Sequence, residues 1–147
     1  MNIPDDIART AAVHWEGDIA RGKGKIDTES GTVSGNYSFN TRFSNEKGTN
    51  PEELLAASHA ACFTMALTLG LTRAGHPPAA VDTTARVHLR RDGEGFDIPL
   101  IELTTTVSAP GMDPQQFQQI AAGAKAQCPI SRALRAVEIT LDAKLNP

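Results

Sequence analysis

Two cysteines, Cys62 and Cys128, give this chain of 147 residues its most distinctive chemistry. Cys62 lies inside a long apolar segment, whereas Cys128 directly precedes Pro129. A proline is typical of the first helical position, so Cys128 is predicted at a helix N-terminus, where the pKa of a thiol is lowered. In a reducing compartment two thiols favour a catalytic or redox pair over a structural disulfide. The pair fits a peroxidatic and a resolving cysteine, and it fits two unrelated core thiols equally well.

The apolar setting of Cys62 limits what its thiol can do. A free cysteine among apolar neighbours is often a small buried hydrophobe, with a raised pKa and little reactivity. Cys62 therefore becomes a nucleophile only if a cation or a hydrogen-bond donor reaches it from another part of the fold.

His59 stands three residues before Cys62, and this spacing suggests two kinds of site. The histidine could be the base of a cysteine hydrolase, or both residues could bind a metal ion. A structural metal site needs four ligands, and no CxxC or HxxxH pattern supplies the others. We therefore expect no metal or other cofactor, and we expect His59 to be a hydrogen-bonded core or interface residue.

The segment that positions Cys62 is predicted to form one helix over 51–73. Asn50 is a favourable N-cap residue, Pro51 suits the first helical position, and Glu53 completes a capping box. Gly75 and the prolines that follow it end the helix.

Glu52, next to the capping residue Glu53, has no structural role beyond its interaction with the helix dipole. It is therefore the carboxylate that is available to pair with a base. Arg42 is a candidate partner, because the alternation of Tyr37, Phe39, Thr41 and Phe43 predicts a strand with Arg42 on its polar side. By itself, the position of Arg42 fits a solvated strand residue.

The predicted helix is apolar on all sides beyond its first turn. One face carries Phe63, Leu67 and Leu71, and the opposite face carries Leu55, Cys62, Met65, Ala66 and Leu69. Its length of about 35 Å is close to the full width of a small domain. Because two small sheets cannot cover every side of such a helix, we predict a C2 homodimer with a large apolar interface.

Short strands and tight turns are predicted around this helix. We expect strands near 13–19, 25–28, 37–43, 81–90, 101–107 and 137–145, a hairpin tip at 92–95, a helix over 114–127 and a short helical turn over 130–134. No linker or internal repeat interrupts them. The sequence therefore predicts one α+β domain over 1–147, with antiparallel sheets around a long buried central helix.

Charge and hydropathy bear on the partners of the chain. The net charge of −3 provides no basic surface, so we expect no nucleic-acid partner. The apolar segment 54–71 approaches membrane length, but it contains five polar or small residues and stands alone among amphipathic strands. We expect a core helix there and no membrane partner. The start of the chain does not resemble a signal peptide, so a cytoplasmic location is expected.

Three segments together resemble the OsmC/Ohr family, the osmotically inducible and organic hydroperoxide resistance proteins. They are FNTRF at 39–43, KGTNPEELLAASHAACF at 47–63 and AKAQCPIS at 124–131. Three further segments are closer to the OsmC branch, namely HWEGDIARGKG at 14–24, DTTA at 82–85 and EITLDAKL at 138–145. The similarity extends over nearly the whole chain.

The resemblance implies a thiol peroxidase with an intertwined dimeric α+β fold and no cofactor. By motif, Cys62 corresponds to the peroxidatic cysteine and Cys128 to the resolving cysteine, while Arg42 stabilises the thiolate and Glu52 holds Arg42. The implied substrates are organic hydroperoxides and, in the OsmC branch, hydrogen peroxide. The implied reductant is an external dithiol, namely a lipoylated protein.

Two questions stay open from the sequence. Glu52 and Cys62 are about 15 Å apart along a straight helix, so we hypothesise that Arg42 and Glu52 of one subunit serve Cys62 of the other. A non-enzymatic alternative is a redox-sensing or lipid-binding module in which the cysteines form a reversible switch.

Overall fold

A computed structural model describes residues 2–146 and divides them between two units, Met1–Pro51 and Glu52–Pro147. The N-terminal unit contains three strands, β1 (Ala11–Glu16), β2 (Lys23–Thr28) and β3 (Ser34–Tyr37). They form a sheet in the order β1-β2-β3, which confirms the predicted antiparallel pairing of these short strands. The first strand ends at Glu16, earlier than predicted. The single domain over 1–147 stays a prediction.

The strand predicted over 37–43 was wrong beyond Tyr37, because Phe39–Phe43 forms a short helix, α1. Its N-cap is Ser38, whose hydroxyl accepts a hydrogen bond from the backbone N–H of Thr41 while the Thr41 hydroxyl accepts one from the Ser38 N–H. This capping box favours helix over strand. The phenylalanines that alternate in a strand pattern are also four residues apart, and in α1 their rings contact each other at 4.8 Å between centroids.

The long helix α2 spans Pro51–Arg73, as predicted. Its C-terminus has a Schellman arrangement, in which Gly75 adopts φ +84° and the His76 N–H donates to the Leu71 carbonyl at 2.9 Å. The capping box of Asn50 and Glu53 at its N-terminus stays a prediction.

The C-terminal unit places α2 with a second sheet and two further helices. These elements are β4 (Ala80–Asp92), β5 (Gly95–Ser108), α3 (Pro114–Gln127), α4 (Pro129–Ala133) and β6 (Glu138–Asn146). The sheet order is β4-β5-β6, with β4 and β5 antiparallel and β6 parallel to β5. The α+β class is therefore confirmed, but this sheet is mixed. The helices between β5 and β6 provide the long connection that a parallel pair requires.

One face of α2 forms part of the core of the C-terminal unit. The fully buried residues on that face are His59, Phe63, Leu67 and Leu71, and they lie at successive four-residue intervals. A chain of hydroxyl contacts connects α2 to the sheet, from Thr64 to Thr83 at 2.8 Å and from Thr83 to Thr105 at 3.0 Å. These contacts fix the helix against β4 and β5 and thereby fix the position of Cys62.

The opposite face of α2 is exposed in the single chain. Met65 is 76% exposed and Leu69 49% exposed, although both are large apolar residues. By length and composition α2 could also span a membrane, but core helices of globular proteins meet the same criterion, and one face of α2 lies in such a core. An exposed apolar face of this kind is typical of an interaction surface.

Candidate active site

The structure brings Cys62 and Cys128 together within the C-terminal unit. Both are free thiols, and they lie close enough for each to affect the pKa of the other. Cys62 comes from the middle of α2, and Cys128 comes from the junction between α3 and α4. This closeness is what a peroxidatic and a resolving cysteine require, and their roles stay a prediction.

Local backbone geometry fixes Cys128 at the junction of the two helices. Its N–H donates to the Ala124 carbonyl at 2.9 Å as the C-cap of α3, and its carbonyl accepts from the Arg132 N–H at 3.0 Å. Pro129 occupies the first position of α4, which confirms the predicted N-cap placement of Cys128.

The two thiols differ in acidity within this unit. Burial raises the pKa of Cys128, but the backbone N–H of Ser131, the side chains of Cys62 and Ser131 and the backbone of Ile130 together lower it below its usual value. Burial raises the pKa of Cys62, and the hydrogen bond and charge of Cys128 raise it further, against a lowering by the Ile130 backbone. Of the pair, Cys128 is the more acidic thiol.

The two thiols also differ in access. Cys128 is 0% exposed and belongs to the main apolar core, whereas Cys62 is half-buried and packs against that core from its edge. In the single chain, a molecule from solvent can therefore reach Cys62 but cannot reach Cys128.

His59 is a core histidine, as the sequence predicted, and its partner is Ser131. The distance from His59 Nε2 to Ser131 Oγ is 2.7 Å, and His59 is 0% exposed. Burial lowers the pKa of His59 and keeps the ring neutral. Since its Nε2 bonds Ser131 and its Nδ1 has no partner among residues 2–146, His59 is not placed as the base of a cysteine hydrolase.

Sequence reasoning missed Ser131, which bonds His59 and lies three residues after Cys128. The available signal was its position three residues after Cys128, since the residue at the third position of a helix lies next to the N-cap side chain. Its contact with His59 joins residues 72 positions apart, which no local pattern indicates.

Arg42 and Glu52 lie in different units of the chain. Arg42 belongs to α1 and not to a strand, and its guanidinium carbon lies 5.4 Å from the centroid of the Phe43 ring. Glu52 is in the first turn of α2, ten residues before Cys62, at about 15 Å along the helix axis. Within one chain, therefore, Glu52 and Cys62 do not form one compact site.

No group of three or more metal-binding side chains occurs among residues 2–146. His88 instead contacts the Glu102 carboxylate at 2.6 Å, and this hydrogen bond lowers the pKa of Glu102. His88 and Glu102 therefore belong to the sheet of β4 and β5 and lie outside the cysteine site.

Comparisons with known proteins identify the family of the chain. Residues 44–142 match the family model described as OsmC-like protein. The chain is 54% identical to the Peroxiredoxin OsmC of Escherichia coli (strain K12), over 95% of this chain and 98% of that protein. It is 33% identical to the Organic hydroperoxide resistance protein OhrA of Bacillus subtilis (strain 168), over 66% of this chain and 68% of that protein.

A solved structure extends the likeness to the fold. The crystal structure of an organic hydroperoxide resistance protein from Elizabethkingia anophelis, with thiocyanate from the crystallisation medium bound, superposes with a TM-score of 0.72. Its sequence identity is 25%, and the match covers 97% of this chain and 100% of that one. This chain belongs to the OsmC-like protein family, as the family model, the relatives and the shared fold show.

Proposed function

We propose that the chain is a cysteine-based peroxidase that reduces organic hydroperoxides, and also hydrogen peroxide, at Cys62. The observation that carries the proposal is that two free thiols of unequal access lie close together in the C-terminal unit. The Cys62 thiolate attacks the terminal peroxide oxygen, the O–O bond breaks, and an alcohol or water leaves. Cys62 is then a sulfenic acid, with which Cys128 condenses to a disulfide as water is released.

The assignment of Cys62 as the peroxidatic cysteine rests on access. Cys62 is half-buried at the edge of the core, whereas Cys128 is fully buried behind it. A peroxide from solvent therefore meets the Cys62 sulfur first. Cys128 needs no access of its own, because its partner in the second step is the neighbouring sulfur.

Activation of Cys62 requires a cation beside the thiol, since burial and the neighbouring Cys128 raise its pKa. Arg42 is the candidate, because a guanidinium remains charged and donates several hydrogen bonds to an anion. Glu52 would orient Arg42 by pairing with its guanidinium. The resemblance of the sequences around Arg42 and Glu52 to the OsmC/Ohr family supports both roles.

The active site is shared between two copies of the chain. Glu52 and Cys62 are too far apart on one helix to act together, whereas a second copy could bring its own Arg42 and Glu52 to Cys62. The exposed apolar face of α2, with Met65 and Leu69, is the surface on which that copy docks. A C2 homodimer buries this face twice and creates two equivalent sites.

The surroundings of Cys62 favour an organic substrate. Cys62 and Ala66 pack against the apolar core, and the partner subunit proposed to dock on Met65 and Leu69 adds a second apolar wall. An alkyl group gains free energy on entering such surroundings, whereas hydrogen peroxide has no apolar surface to bury. Organic hydroperoxides are therefore expected to react faster than hydrogen peroxide.

Recycling of the enzyme needs an external dithiol. A dithiol thiolate attacks the disulfide between Cys62 and Cys128 and reduces it through a mixed disulfide. A lipoylated protein is the proposed reductant and the cytoplasm the proposed location, where reduced dithiols are maintained. The reaction uses the two cysteines and requires neither a metal nor an organic cofactor.

Turnover separates this enzyme from a redox sensor. With excess cumene hydroperoxide and dihydrolipoamide, we expect each subunit to consume many equivalents of peroxide, because the dithiol restores both thiols after each cycle. The measurement is peroxide loss over time at catalytic protein concentration. Consumption that stops after about one equivalent per subunit would instead indicate a sensor. Hydrolysis of an ester that survives Cys128→Ser would indicate a cysteine hydrolase.

A further inference from the structure

A buried hydrogen bond joins α2 to α4 beside the cysteine pair. His59 Nε2 on α2 lies 2.7 Å from Ser131 Oγ on α4, although the two residues are 72 positions apart in the chain. His59 is 0% exposed and Ser131 is 6% exposed. Since both side chains are already buried in a single chain, the bond belongs to one subunit and needs no residue from a second copy.

The bond lies one helical turn from each cysteine. His59 precedes Cys62 by three residues on α2, and Ser131 follows Cys128, the N-cap residue of α4, by three residues. Residues three apart on a helix are neighbours on its surface. His59 and Ser131 therefore connect α2 to α4 directly next to the place where Cys62 and Cys128 come together.

Apolar packing alone does not fix this arrangement. Phe63 of α2, Phe117 of α3 and Cys128 share one apolar core, but the burial of apolar surface has no preferred direction. A hydrogen bond is favourable only over a narrow range of distances and angles. The contact at 2.7 Å therefore sets the position of α4 along α2.

The His59 ring depends on Ser131 for its polar contact. Its Nδ1 is buried and has no hydrogen-bond partner among residues 2–146. A serine hydroxyl both donates and accepts hydrogen bonds, so Ser131 can bond Nε2 in either tautomer of the neutral ring. Separation of α4 from α2 would leave buried polar atoms of both residues unsatisfied, which costs free energy.

We propose that His59 and Ser131 form a tether that holds Cys128 beside Cys62 and thereby favours the disulfide between them. This inference rests on the peroxidase function proposed above. Two groups that are held in place react as if each were present at a high effective concentration. His59 and Ser131 act only through the placement of the two sulfurs, so both are positioning residues.

The step that the tether serves is the condensation of Cys128 with the Cys62 sulfenic acid. An electron pair of the Cys128 sulfur forms the S–S bond while the S–O bond of Cys62 breaks, so Cys128 is oxidised and the Cys62 sulfur is reduced. The proton of the Cys128 thiol and the departing hydroxide leave as water. Fast condensation also protects the sulfenic acid from a second peroxide and oxidation to sulfinic acid.

Equilibration with glutathione measures the tether without any peroxide. The two protein thiols and one oxidised glutathione give the protein disulfide and two reduced glutathiones, and the equilibrium constant is the effective concentration of the pair. We expect it to be about fivefold lower in Ser131→Ala and in His59→Leu, because each loses one hydrogen bond. His59→Gln, whose amide can still bond Ser131, should recover most of it. As a matched control, His88→Leu removes a histidine hydrogen bond from the sheet and should keep the wild-type value.

The double variant His59→Leu/Ser131→Ala distinguishes the tether from general support of the fold. Replacing both partners of a buried hydrogen bond by apolar groups leaves no unsatisfied polar atom, so the free energy of unfolding should return towards the wild-type value. The effective concentration should stay about fivefold low, because the apolar pair does not fix the position of α4. Denaturant unfolding measures the first quantity and the glutathione titration the second. Recovery of both quantities together would overturn the tether.

Single-turnover kinetics separate the inference from the function on which it rests. After one equivalent of cumene hydroperoxide, Ser131→Ala should oxidise Cys62 at the wild-type rate but form the disulfide about fivefold more slowly, with the sulfenic acid trapped by dimedone meanwhile. Disulfide formation at the wild-type rate would overturn the tether. A wild-type protein that forms the disulfide with glutathione but leaves peroxide unreduced would instead overturn the peroxidase proposal. If His59→Leu does not fold, Ser131→Ala decides, since it removes a single oxygen atom.

Discussion

Cys62→Ser should reduce peroxide consumption to the level of the dithiol alone. A serine hydroxyl is not ionised near neutral pH, and it replaces the one sulfur of the pair that a peroxide can reach. Cys128 remains in this variant as the more acidic thiol, but it is fully buried. The measurement is the rate of peroxide loss with dihydrolipoamide, for wild type and variant at equal concentration.

Cys128→Ser is the matched control, because it removes the other sulfur by the same chemical change. It should still undergo the first oxidation and consume about one equivalent of peroxide per subunit, with the sulfenic acid left at Cys62. If Cys62→Ser retained turnover and Cys128→Ser lost even the first oxidation, the roles of the two cysteines would have to be exchanged.

Mixing two inactive variants should restore activity. Arg42→Ala subunits lose the cation, and an opposite charge typically lowers a pKa by one to three, so we expect about a hundredfold less thiolate at Cys62. Cys62→Ser subunits retain Arg42. A mixed dimer would combine Cys62 of one subunit with Arg42 and Glu52 of the other and contain one complete site. Random exchange should therefore give about a quarter of the wild-type activity per subunit.

Subunit exchange must be demonstrated separately, by native mass spectrometry of the mixture. If mixed dimers form and activity stays at the level of the separate variants, Arg42 and Cys62 act within one chain. Glu52→Gln subunits in place of Arg42→Ala provide a second version of the test, because Glu52 is proposed to act in the same shared site.

The two cysteines are proposed to act in different steps because their thiols differ in solvent access and in acidity. Cys62 is exposed enough to meet a peroxide but is the less acidic thiol in its own unit. Cys128 is the more acidic thiol but is shielded from solvent. This arrangement explains why Cys62 needs a cation from elsewhere in the fold.

Elements with strong end signals could be predicted from the sequence. The bounds of α2 and α3 agree with the prediction, because Pro51 and Pro114 mark the first helical positions and Gly75 ends the longer helix. The N-cap placement of Cys128 followed from Pro129 for the same reason. Such signals act within a few residues, and a sequence displays them directly.

Features that depend on distant contacts could not be predicted in the same way. Phe39–Phe43 displays a strand alternation, yet the Ser38–Thr41 capping box makes it a helix. The parallel pairing of β6 with β5 depends on the path of the connecting helices. Ser131 as the partner of His59 became visible only once α2 and α4 were packed together. In each case tertiary contacts or a competing local interaction outweighed the periodic pattern.

The most direct test is to identify the oxidised atoms after a single reaction with peroxide. Reduced protein is treated with one equivalent of cumene hydroperoxide, trapped with dimedone and an alkylating reagent, and digested for mass spectrometry. We predict a disulfide between Cys62 and Cys128 in the wild type and a dimedone adduct on Cys62 in Cys128→Ser. A dimedone adduct on Cys128, or both cysteines recovered as free thiols while peroxide is consumed, would contradict the account.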